Sequence, residues 1–207
     1  MTRLRPWFIL LALGSALHAE PLAPRPLISS TLVQLGDYGL SPTHLRWGEV
    51  QLASAAVLVA VALQQEDVTL TQWISTGDAR KPWLDRVMPR VSQAGEGWVE
   101  ASLCAVAWGL GGQRLSDTSA QALQALAIAG VYTQTLKYVA WSNRPSQDLS
   151  QHRYFAYDQG SMGMPSGHAF SAFAMAEVYG DEYSRWISYP FALLIAYSRL
   201  YNQAHWS

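Results

Sequence analysis

With 207 residues the chain can bury a core of its own, and one domain is the economical count. Hydrophobic residues make up 50% and charged ones 14%, well under the quarter usual for soluble domains, yet mean hydropathy is only +0.02, a balance between a soluble helical bundle and a membrane protein. A net charge of -1 gives no electrostatic argument for nucleic acid, whose binding draws its affinity from clustered Lys and Arg, and the single cysteine, Cys104, excludes an intrachain disulfide.

Residues 1–19 read as an export signal. Arg3 and Arg5 precede an apolar run from Trp7 to Leu17 that is short for a bilayer span, and Gly14-Ser15-Ala16 and Ala19 offer cleavage sites. An uncleaved anchor is the alternative, and either way the remainder is expected in an extracytoplasmic space. Residues 20–48 form an irregular lead-in punctuated by Gly36, Gly39 and Pro42, and residues 49–207 the domain proper. Val50–Leu63 is apolar and Ala-rich and predicts a helix. From Thr69 to Val91, Gly77, Pro82 and Pro89 predict short helices joined by turns. A third helix runs from Trp98 to Leu110 and stops at Gly111-Gly112.

Asp117 or Ser119 is a candidate cap for a long helix from Ala120 to about Asn143, which Pro145 terminates. Residues 146–164 carry no usable period and predict a loop. Ser166 opens a helix to about Tyr179, stopped by Gly180, and Trp186 to about Tyr201 supplies the last, with Pro190 near its first turn. The fold class is all-α. The apolar stretches fall short of the ~20 residues of a membrane span, so membrane association is left open.

Three segments of the second half carry the chemistry. Lys137 and Arg144 lie two helical turns apart, about 10 Å along one face if the helix continues, and both can reach one anion; alone they read as cations on a solvated helix end. Pro165-Ser166-Gly167-His168 opens a helix, where free N–H groups favour an anion, Gly167 lets it approach the backbone and the Ser166 hydroxyl adds a donor. As a nucleophile elbow the segment fails, because Met164 and His168 stand where glycines are needed. Arg199 and His205 would lie about 120° apart on a helix, so the helix should end near Asn202 and return His205 on a turn. No metal-site spacing is present. His44 and His152 match no motif and read as structural or exposed; Glu66-Asp67 and Asp181-Glu182 read as solvated surface. The tryptophans and tyrosines are mostly core, with a lipid interface the alternative for Trp7, Trp47 and Trp73.

Read as K-x6-RP, PSGH and SR-x5-H, these segments resemble the type 2 phosphatidic acid phosphatase (PAP2) superfamily, which includes class A acid phosphatases and vanadium haloperoxidases. The resemblance covers Lys137 to the end. It implies a compact helical bundle and a metal-independent phosphatase, without a cofactor, acting on a phosphomonoester or lipid (pyro)phosphate. His205 would be the nucleophile that becomes phosphohistidine, and His168 the acid that protonates the leaving group. Lys137, Arg144, Ser166, Gly167 and Arg199 would hold the phosphate. A vanadium-dependent haloperoxidase and a non-catalytic phosphate or lipid-head-group binding module are the alternatives. The family's third motif ends on an aspartate four residues past its histidine, which would fall at position 209. The chain is therefore expected to be cut short, lacking its last helix and the acid that orients His205, with turnover impaired more than binding.

Overall fold

The computed structural model describes residues 66–206 apart from 78, 156 and 158–161. The export signal, the lead-in and the helix expected over Val50–Leu63 lie outside the described residues, which belong to one compact unit, Gln64–Ser207. Among the described residues the structure is helical: α1 (Asp67–Thr76), α2 (Pro82–Ala94), α3 (Gly97–Leu110), α4 (Gln113–Ala140), α5 (Gly167–Tyr179), a π-helical turn (Gly180–Ser184) and α6 (Arg185–Tyr201). No strand occurs among them, and the all-α class holds.

Three boundaries differ from expectation. Pro89 does not break α2. A proline there removes one donation to the Asp85 carbonyl, but Leu84 and Met88 are buried with Ile74 and Tyr201, and the Tyr201 hydroxyl donates to Asp85 Oδ1 at 2.8 Å. That packing keeps the helix whole. The long helix α4 begins at Gln113, behind Gly112, well before the expected caps. Ser119 is fully buried and shares a 2.9 Å hydrogen bond with the Tyr179 hydroxyl, while the Thr118 hydroxyl donates back to the Arg114 carbonyl; both are interior positions of a helix. At its other end α4 stops at Ala140, because Trp141 adopts a left-handed φ of 35°.

Helix α5 ends at Tyr179, before Gly180, as expected. The π-helical turn carries the chain on, and Ser184 then reverses it in an extended conformation into α6. The result is an antiparallel pair whose seam is made of Ala172, Ala176 and Ala192, small enough to let the helices approach closely, with Phe173, Tyr189 and Ile195 packed around them. Helix α4 flanks α5, α3 lies on α4, and α2 crosses α6. Among the described residues no helix is long and apolar enough to cross a membrane.

Candidate phosphate site

The C-terminal turn of α4, the loop that follows it, the start of α5 and the end of α6 meet at one end of the bundle. Lys137 sits in the last turn of α4. Arg144 is not on that helix, as the spacing had suggested, but in the loop beyond the left-handed Trp141. The two nonetheless feel one another. Burial lowers the Lys137 ammonium from its ordinary value, and the nearby charges of Arg144 and Arg199 lower it further. Arg199 is also pushed down, by burial first and then by Arg144, with Glu96 at the foot of α3 opposing. Among the described residues no carboxylate closes an ion pair with any of these three cations. One arm of the Arg199 guanidinium donates to the Ser92 hydroxyl of α2, which fixes its direction, while its Nε is buried without a partner. Uncompensated positive charge and an orphaned donor are what an oxyanion would satisfy.

Ser166 caps α5, its Oγ accepting from the Ala169 N–H at 3.4 Å, which leaves the hydroxyl hydrogen free to donate elsewhere. A Cβ placed on Gly167 would touch nothing closer than Thr133 Cγ2 at 3.7 Å, so the space above it is open. Gly167, His168 and Lys137 line a cavity of about 490 Å³ that continues between α3, α4 and α5 past Gly97, Ala101, Leu123, Leu126, Ala127 and Gly130. Lys137 and His168 thus bring the cationic cluster to one part of its wall, and most of the rest is apolar.

The imidazoles are set differently. Burial depresses His168 to about 4, reinforced by Arg199, Lys137 and Arg144 and partly opposed by Glu96. His205 is 2% exposed and is depressed to about 3, mainly by burial and then by the same three cations, against a hydrogen bond to the Gly163 carbonyl that favours its charged form. Both are neutral at pH 7. As the spacing requires, α6 ends at Tyr201 and His205 returns on a turn. Gln203 is left-handed with φ 54°, and the N–H groups of Ala204 and His205 both point at the Arg199 carbonyl, at 3.0 and 3.4 Å.

Several residues here carried no signal as motif members. Asn143 is fully buried and spends its whole polar inventory locally. Its Oδ1 accepts from the Arg153 N–H at 2.7 Å, its Nδ2 donates to the Gln151 carbonyl at 2.9 Å, and its own carbonyl accepts from Trp206 Nε1 at 2.9 Å. Trp206 in turn stacks on His152 with ring centroids 4.8 Å apart, and His152 Nδ1 meets Asp67 Oδ2 at 2.7 Å. Asp67 is therefore not solvated surface, and of the two readings of His152 the structural one holds: both side chains are 2% exposed and join α1 to the loop beside the site. Glu100, buried behind Ser171 on α3, has its carboxyl raised to about 7 by burial. Among the described residues no group of three or more His, Cys, Asp or Glu side chains is arranged to hold a metal ion.

The structure thus brings Lys137, Arg144, His168, Arg199 and His205 into one electrostatic cluster, with Gly167 on the wall of the cavity that Lys137 and His168 line and Ser166 the residue before it. No curated protein and no solved structure matches the chain significantly. Residues 119–207, which carry all three segments of the cluster, match the family model described as the PAP2 superfamily.

Proposed function

We propose that the chain is a phosphatase that moves the phosphoryl group of a lipid phosphate onto His205 and then to water. The observation that carries this reading is the cavity, in which Lys137, one of three neighbouring cations that no described carboxylate pairs, meets a largely apolar wall that includes Ala101, Leu123, Leu126 and Ala127. Lys137, Arg144 and Arg199, with the free N–H groups at the start of α5, take the non-bridging oxygens and the charge that builds on them in the transition state. His205 is neutral before attack, as a nucleophile must be. A bond forms from its imidazole nitrogen to phosphorus as the bond from phosphorus to the leaving oxygen breaks. His168 gives its proton to that oxygen, and then takes one from the water that cleaves the phosphohistidine, so an ester and water yield an alcohol and inorganic phosphate. In the free protein His168 is neutral, but a bound phosphate dianion favours its protonated form, so proton uptake should accompany binding. The basic, apolar N-terminal run supports an exported protein whose site works outside the cytoplasm.

The test is phosphate release by the purified full chain from micellar phosphatidic acid, an isoprenyl diphosphate and p-nitrophenyl phosphate. The expected result is higher kcat/KM for the lipids, competitive inhibition by orthovanadate and no inhibition by EDTA. Equal kcat/KM for all three would refute the lipid assignment, and no release from any would refute the phosphatase reading.

A further inference from the structure

The cavity beside Lys137 follows one stripe of α4. Lys137, Gly130, Ala127 and Leu123 line it at intervals of seven, three and four residues, so they share a helix face. From Lys137 to Leu123 that face runs for about 21 Å along the axis. Polarity falls off along it: Thr133 and Gln134, the polar lining residues of α4 besides Lys137, lie within about one turn of the lysine, and beyond them the helix contributes only glycine, alanine and leucine. Gly97 and Ala101 of α3 line it as well. Gly97, Ala127 and Gly130 are exposed, so the cavity is a groove with one side open. A Cβ on Gly97 or Gly130 would meet nothing within 4 Å, and the groove is clear at both places because neither residue has a side chain.

We propose that this groove holds a single hydrocarbon chain of the substrate, and that Gly130 and Gly97 are the residues that determine how long a chain it takes; this rests on the reading of the Lys137 end as the phosphate site. The volume of about 490 Å³ decides the number of chains. A methylene fills about as much space as a water molecule, ~30 Å³, so the groove has room for roughly 16 of them, which is one chain and not the pair of a diacyl lipid. Of a two-chain substrate it takes one and leaves the other outside. The length agrees, since a chain that crosses one leaflet of a bilayer spans about 15 Å, and a phosphate at Lys137 fills much of the remainder. Gly130 stands about 10 Å along the axis from Lys137, so a bulky side chain there would close the groove near its middle.

The test needs no turnover. Monoalkyl phosphonates from butyl to tetradecyl carry the anionic head on a carbon–phosphorus bond that a phosphatase does not cleave, and each is titrated into the full chain by calorimetry below its micelle concentration. In the parent, Kd should fall by about 2-fold per added methylene, about half of what full burial gives in a groove open on one side, and should level off near dodecyl. In Gly130→Leu it should level off near hexyl, so that parent and variant agree within about 3-fold for butyl phosphonate and differ by at least about 10-fold for dodecyl phosphonate. Leucine is the better helix former and meets open space there, so the variant should fold; if it does not, Gly97→Leu closes the same groove from α3 and should shorten the range in the same way. Gly109→Leu, away from the groove and also with nothing within 4 Å of an added Cβ, should track the parent. A parent Kd independent of chain length, or dodecyl phosphonate binding equally to the parent and to the groove variants, overturns the proposal, and a two-chain phosphonate binding about 10-fold tighter than its one-chain counterpart overturns the single-chain assignment. Length-dependent binding in a chain that releases phosphate from no ester supports the groove and overturns the phosphatase reading, whereas phosphate release with no length dependence overturns the groove alone.

Discussion

His168 and His205 show how position alone assigns two identical side chains different work. Both are held well below the ordinary imidazole value, to about 4 and about 3, by burial beside three cations. That depression has a stability consequence of definite sign. A histidine held neutral in the fold but titrating near 6.5 when unfolded contributes fully above 6.5 and loses its contribution as pH falls through the folded value. The parent chain should therefore lose thermal stability progressively between about pH 6.5 and pH 3. In His205→Gln, which has no imidazole to charge at that site, the decline should be shallower by scanning calorimetry. Parallel curves would mean that His205 is not held neutral in the fold. At this scale the motif residues were legible in the sequence because each is a chemically distinctive side chain at a fixed interval. Gly163, Asn143 and Trp206 were not. They act through backbone atoms and packing, which leave no spacing signature.

The helices were recoverable wherever apolar patterning and capping residues agreed. Helix α3 and the end of α6 are examples, the latter because the interval from Arg199 to His205 forbids a continuous helix. The errors arose where tertiary packing outweighed local propensity. Pro89 is carried by the clasp of α2 on α6, and Ser119 resembles a cap but is a buried hydroxyl paired with Tyr179. The end of α4 matters most, since Arg144 reaches the site through the loop after Trp141 and not along a helix face. At the turn joining α2 to α3, a Cβ on Gly95 would lie 2.4 Å from Ile195 Cγ2 of α6 and 3.4 Å from the His168 Cβ. Gly95→Ala should therefore lower stability by about 1–3 kcal/mol in urea unfolding, as overpacking does, and should lower kcat together with it by displacing His168. A variant as stable and active as the parent would show that α6 shifts freely at this point.

Across the described unit, several structural peculiarities near the site bring distant residues to one end of the bundle. The left-handed Trp141 and Gln203 turn the chain back, Asn143 and Trp206 tie the loop to the C-terminal segment, and the buried Asp67–His152 pair ties that loop to α1. The scaffold gathers three cations, one of them on the wall of a cavity, and leaves one neutral imidazole buried beside them. The most direct measurement of what this arrangement does is rapid acid-free quenching of the full chain with 32P-labelled substrate, followed by peptide mapping. The account predicts a base-stable, acid-labile label on His205 that forms and decays at rates compatible with turnover. Label on another residue, or turnover with no covalent label at any time, would contradict it.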